Sequence, residues 1–208
     1  MEINRLSVPD PTLILDLGNV VFSLNFSPFE SWLVSTSKEK SRLNFERFWN
    51  IYCEYESGHF GNQDFLEKVK GDLNLAFEDE EFISMWNTCW EFDMPGLDSW
   101  LDKISGTLPI HVLSNTNDLH MECFLETKPV LKRFDRLFLS HEMGCRKPES
   151  EIYDKVTEDL GVSPASVLFF DDRLENVQGA RDAGWRAEVF ISIEESSARL
   201  ERHWAEKT

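Results

Sequence analysis

From Leu97 to its end this chain alternates short apolar runs with helical spacing, and that alternation constrains the fold more than any other feature. Residues 109–113, 136–140, 167–170 and 186–191 read as strands, with a helix before or after each. One helix has Pro148 at its first position, Ile152, Val156 and Leu160 on one face, and Gly161 as its stop. Gly184 ends the next, and the last helix ends near Trp204. Strands alternating with helices build a mostly parallel sheet covered on both faces, an α/β fold. The apolar run 12–17 supplies its first strand.

Between that strand and Leu97 the pattern is different. From about Asn25 to Asp93 the apolar spacing is helical, and no strand is expected. Phe65, Leu66, Val69 and Leu73 share a face, with Asn62 placed as N-cap. About four helices are expected, broken near Ser37, Ser57-Gly58 and Gly71. Met94-Pro95-Gly96 is the exit turn and a hinge candidate. The segment therefore reads as a helical insertion after strand one, residues 25–93, in a body made of 1–24 and 94–208. Its aromatic residues, including Trp32, Phe48, Trp49 and Trp86, suit the core of a small module, and one or two of them are candidates to face a ligand at the junction.

A net charge of −17 argues against nucleic acid or an anionic membrane as partner. The same field repels an anionic substrate, so attraction would have to be local, from a cation, a lysine or backbone N–H groups. The four cysteines include no C-x-x-C and read as free thiols of a reducing compartment. Residues 1–11 contain no apolar signal region, and no segment approaches the length of a membrane span, so a cytoplasmic location is expected.

Four strand ends or the loops that follow them carry polar residues: Asp16-Leu17-Gly18-Asn19, Ser114-Asn115-Thr116-Asn117, Arg146-Lys147-Pro148-Glu149 and Asp171-Asp172-Arg173. In a parallel sheet these gather at one edge, where open α/β sheets bind ligands. An acidic cluster, a hydroxyl, an amide and a lysine fit phosphoryl transfer. Carboxylates hold Mg2+ by oxygen ligation, a carboxylate is a nucleophile toward phosphorus, and Ser114 with Lys147 would hold phosphate oxygens. Taken singly, Ser114-Asn115 also reads as a helix N-cap, and Lys147 as a solvated surface lysine. The pair Asp171-Asp172 is harder to dismiss, because adjacent carboxylates repel and call for a cation. The five histidines have no catalytic spacing and read as structural or exposed.

In order, these segments resemble the four motifs of the haloacid dehalogenase-like hydrolase superfamily, over about residues 12–205. The subgroup around bacterial alpha-D-glucose-1-phosphate phosphatase is similar in Asp-Leu-Gly-Asn-Val, Leu-Ser-Asn-Thr-Asn, Arg-Lys-Pro-Glu and Phe-Phe-Asp-Asp. The resemblance implies a Rossmann-like body with a small α-helical cap. It further implies Asp16 as nucleophile and Mg2+ ligand, the Gly18 carbonyl as a second ligand, and a metal role for both Asp171 and Asp172, with Asp172 ligating and Asp171 beside it or binding through water. Ser114 and Asn115 would bind phosphate, and Lys147 would hold the charges of phosphate and Asp16 together. Most phosphatases of the superfamily have an acid–base Asp two positions after the nucleophile, where this chain has Gly18; such a group contributes roughly 10²–10⁴-fold. The expected activity is hydrolysis of a small phosphorylated metabolite, a sugar phosphate being the leading candidate, through an aspartyl-phosphate. The alternative is a catalytically weak relative that binds a phosphorylated ligand or a protein partner.

Overall fold

The structure, a computed structural model, describes residues 11–36 and 43–205. Five strands form one parallel sheet: β1 (Thr12–Leu15), β4 (Ile110–Ser114), β5 (Arg136–Leu139), β6 (Val167–Asp171) and β7 (Arg186–Val189), in the order β5-β4-β1-β6-β7. β1 is central, pairing with β4 on one side and β6 on the other. Alternate residues of each strand face opposite ways. Leu13 and Leu15 enter one apolar cluster with Val112 and Phe170, while Ile14 enters a second with Leu113 and Phe169. The first cluster takes in α5 (Leu97–Ile104), α6 (Asp118–Thr127) and α10 (Ile193–Ala205); the second takes in α8 (Ser150–Leu160) and α9 (Leu174–Asp182). Helices thus cover both faces, as the alternation predicted. Among the described residues no helix is long and apolar enough to cross a membrane.

The insertion supplies four helices: α1 (Ser27–Thr36), α2 (Leu43–Glu56), α3 (Asn62–Asp72) and α4 (Asp79–Asn87). The expected break near Ser37 lies outside the described residues. Phe29, Phe48, Phe82 and Trp86 pack together with ring centroids 4.7–6.3 Å apart, which is aromatic-pair spacing. Contrary to expectation, the segment ends in a strand. β3 (Trp90–Asp93) pairs antiparallel with β2 (Phe22–Leu24), so the insertion hangs from a two-stranded stem. Three- and four-residue strands paired across more than sixty residues leave too little alternation to read locally.

Two further differences are local. Asn62 is the first residue of α3 rather than its cap. Gly61 is the N-cap, and the Asn62 side chain instead accepts a bond from the Tyr55 hydroxyl. Pro148 precedes α8 by two residues, and Glu149 is the cap. The Lys147–Pro148 peptide is cis. The short α7 (Ser140–Met143) is too brief to leave a periodic signal.

Candidate active site

β1, β4 and β6 lie side by side, so their carboxyl ends bring Asp16, Ser114 and Asp171 to one edge. The loop after α7 brings Lys147 to them. Lys147 Nζ donates to Asp16 Oδ1 at 2.7 Å, to Asp171 Oδ2 at 2.6 Å and to the Leu113 carbonyl at 2.9 Å. The lysine is only 1% exposed, so the surface reading does not hold. Burial alone would lower its pKa, but the charges of Asp16 and Asp171 more than offset this and hold it above the ordinary lysine value.

One oxygen from each of Asp16, Asp171 and Asp172 lies within 4.8 Å of the others. Burial raises the Asp16 carboxyl to about 7 against the pull of Lys147, with Asp171 and Asp172 pushing the same way. Asp172 is also raised, first by burial. Three carboxylates against one lysine leave a surplus of negative charge in a dry place, the environment that a divalent cation with oxygen ligands satisfies.

The two aspartates of β6's end are not equivalent. Asp171 is fully bonded: Oδ1 accepts from Arg173 N and Asn176 Nδ2, Oδ2 from Lys147 Nζ and Asn176 Nδ2. Asp172 has one protein donor among the described residues, Asn19 Nδ2 at 2.8 Å. Asn19, in a left-handed conformation at φ 55°, also accepts from Leu24 N, joining the first motif to the stem.

Ser114 is buried at the cleft wall. Asn115 lines the cleft too, but its amide grips the backbone of Lys147, donating to the carbonyl and accepting from the N–H, both at 2.9 Å. The helix cap is Asn117, whose side chain accepts from His120 N. The Ser114-Asn115 pair is therefore not that cap. The Gly18 carbonyl accepts no backbone hydrogen bond among the described residues. A Cβ at Gly18 would lie 3.2 Å from Leu24 Cδ2 and 3.7 Å from the Trp90 ring, so an apolar wall fills the place of an acid there.

The cleft holds about 220 Å3 and lies between the sheet edge and the insertion. It is lined by Asp16, Gly18, Ser114, Asn115, Lys147 and Asp172 together with Leu24, Phe26, Trp49, Tyr52, Glu56 and Trp90. Arg146 lines it as well and is ion-paired with buried Glu56 of α2. Sequence reasoning assigned no role to Asn19, Glu56, Arg146, Arg173 or Asn176. Asn19, Arg146 and Arg173 stand inside the quoted motifs and Asn176 just past one, but their partners come from distant segments.

The sequence profile of haloacid dehalogenase-like hydrolases matches residues 12–184. This chain belongs to that family. Among curated relatives, the D-ribitol-5-phosphate phosphatase of Bacteroides thetaiotaomicron is 26% identical over 205 residues, covering 87% of this chain and 97% of that one. The sesquiterpene phosphatase astK of Aspergillus oryzae is 27% identical over 173 residues, covering 82% and 85%. The drimenol cyclase drtB of Aspergillus calidoustus is 27% identical over 196 residues, but the match spans only 35% of that longer protein. A family enzyme of B. thetaiotaomicron solved in complex with magnesium superposes with a TM-score of 0.78 at 26% identity, over 88% of this chain and 94% of that one. The same enzyme has been solved with magnesium and inorganic phosphate.

Proposed function

We propose that this chain is a Mg2+-dependent phosphatase that hydrolyses a small phosphorylated metabolite through an aspartyl-phosphate on Asp16. It is a phosphoric monoester hydrolase of the haloacid dehalogenase-like family, and magnesium is the cofactor of such phosphatases. The observation that carries the reading is the Asp16 carboxylate, set on a cleft wall between Lys147 and two further aspartates. A cleft of about 220 Å3 suits a small ester, since drug-sized sites run from about 300 Å3 upward.

Asp16, Asp172 and the Gly18 carbonyl would hold the ion. Asp171 would act one step back, through its bonds to Lys147 and Asn176. When bound, Mg2+ neutralises charge on the phosphoryl oxygens. Asp16 Oδ attacks phosphorus, and the bond from phosphorus to the ester oxygen breaks. With glycine at position 18, the departing oxygen takes its proton from water. Water then attacks phosphorus, phosphate leaves, and the carboxylate is restored. Lys147 orients Asp16 and favours its ionised, attacking form, with Asn115 fixing the lysine backbone and Ser114 facing the phosphate. The insertion, residues 25–93, would act as the cap that closes the cleft and selects the alcohol.

A sugar phosphate is the leading candidate for the metabolite, supported by the likeness to the D-ribitol-5-phosphate phosphatase. The test is phosphate release from a panel of phosphorylated metabolites with Mg2+. Asp16→Asn is expected to lose turnover by at least roughly a thousandfold while melting as a folded protein. A hundredfold excess of Mg2+ over its Kd should stabilise the wild type by about 2.7 kcal/mol, and Asp172→Asn by less. Turnover by Asp16→Asn would remove the nucleophile. An inactive wild type that still gains stability from Mg2+ would favour the alternative, a relative that binds a phosphorylated ligand or a protein partner.

A further inference from the structure

The phosphate end of the cleft accounts for half of its lining. The other half must meet the alcohol, and its charge and hydrogen-bonding state restrict what that alcohol can be.

Every cation on the lining already has an acidic partner. Lys147 is held by Asp16 and Asp171, Arg146 is paired with Glu56, and Arg173 Nη2 lies 2.5 Å from Glu175 Oε1. The Glu56–Arg146 pair is largely withdrawn from water, so breaking it leaves an uncompensated buried charge. A substrate with a second anionic group would find no unpaired cation among the described lining residues.

The carboxamides are committed as well. Asn19 and Asn115 use both ends of their side chains within the protein, and Asn176 gives its Nδ2 to Asp171. What faces the alcohol is therefore aromatic and aliphatic: Leu24 and Trp90 on the stem, Phe26 just after it, and Trp49 with Tyr52 on α2. Phe26 meets Trp49 edge to face at 5.9 Å, and Trp49 meets Tyr52 at 5.2 Å, so the three rings form one continuous surface. The polar atoms of this wall are neutral. Trp90 Nε1 is buried with no partner among the described residues, and Tyr52 has a hydroxyl.

We infer that the substrate is the phosphate monoester of an uncharged alcohol that lays a C–H face on the Phe26–Trp49–Tyr52 wall. The inference rests on the phosphatase reading and narrows it. A pyranose ring and an isoprenoid chain share this chemistry. A phosphorylated carboxylic acid or a bisphosphate does not.

The full chain with Mg2+ is assayed for phosphate release from acetyl phosphate, glycerol 3-phosphate, 3-phosphoglycerate, a pyranose 6-phosphate and geranyl monophosphate. Glycerol 3-phosphate should exceed 3-phosphoglycerate in kcat/KM by at least about tenfold, since the pair differs by one carboxylate and like charges are costly at close range. The pyranose or geranyl ester should exceed glycerol 3-phosphate, and whichever does so by more identifies the source of the C–H face. Trp49→Ala should lower kcat/KM for that better ester relative to acetyl phosphate by about two- to tenfold, the worth of an aromatic contact. Trp49→Phe should recover part of the ratio, which a general loss of packing would not explain. Equal use of 3-phosphoglycerate and glycerol 3-phosphate would overturn the inference while leaving the phosphatase reading intact. So would an unchanged ratio in both folded Trp49 variants. No phosphate release from any compound, acetyl phosphate included, would overturn the phosphatase reading itself.

Discussion

Gly18 is where a single residue departs most from what phosphatase chemistry leads one to expect. The missing acid is not an open vacancy waiting for a carboxylate. Leu24 Cδ2 and the Trp90 ring already stand within 3.2–3.8 Å of where a Cβ would go. Gly18→Asp would push a polar group into that wall. Overpacking of this kind costs about 1–3 kcal/mol, and the carboxylate adds a desolvation cost. The variant alone should therefore unfold at lower denaturant without gaining turnover. Gly18→Asp with Leu24→Ala should recover some of the lost stability, because the nearest clash is removed. Urea midpoints for the two variants decide this. A single variant as stable as wild type would mean that the wall gives way easily.

At the scale of elements, the insertion is joined to the body by specific contacts. α4 packs on α6, and α2 on α7. Ser140 Oγ donates to the Glu56 carbonyl, and the Tyr55 hydroxyl accepts from Leu119 N. His120 lies at the α4–α6 contact, stacked on Trp86 at 4.6 Å and edge-on to Trp90, with the Asn117 amide on its Nδ1. Burial in this aromatic cage lowers its pKa from 6.5 to about 3. The folded-state value is the depressed one, so the neutral ring is favoured in the fold. Its contribution is fully present above pH 6.5 and is lost as pH falls from there toward 3. The unfolded chain takes up a proton that the folded one refuses, at about 1.4 kcal/mol per pH unit. His120→Phe should make stability fall less steeply between pH 7 and 5 than in wild type. Parallel slopes for the two proteins would show that the ring is not held neutral.

For the molecule as a whole, a net charge of −17 confronts a dianionic substrate. The cleft attracts phosphate only at short range, through Lys147 and the metal site, while the surrounding field repels it. Screening weakens that repulsion, since the Debye length falls from about 30 Å at 0.01 M salt to about 8 Å at 0.15 M. At fixed Mg2+, kcat/KM should therefore rise severalfold from low to physiological ionic strength, the reverse of electrostatic steering. A fall with salt would mean that a positive field outside the cleft guides the substrate. The apolar core is shared at this scale too. Phe48, Phe82 and Trp86 of the insertion belong to one cluster with Leu13, Val112 and Phe170 of the sheet.

Much of the body was legible in the sequence, because its signals are local. The runs ending at Leu113 and Phe170 have strand length, Gly161 and Gly184 punctuate helices, and Phe65, Leu66, Val69 and Leu73 share a buried face. Asp16, Ser114 and Asp171-Asp172 announced themselves as polar residues at or just past strand ends, where a buried carboxylate must have a partner, and Lys147 as part of the polar loop that follows the third such strand. Pairings across long separations were beyond local reading. Periodicity does not reveal that Phe22–Leu24 would meet Trp90–Asp93, that Asn115 would turn its amide to the Lys147 backbone, or that Glu56 would find Arg146. Nor did any local rule separate Asp171, saturated by Lys147, Arg173 and Asn176, from Asp172, which Asn19 bonds. The sequence by itself determined the kind of fold and the chemistry collected at the sheet edge, because propensity and the cost of burying charge act along the chain. Tertiary structure alone decided which group neutralises which, and what wall the alcohol meets, because those depend on side chains brought together only when distant segments pack.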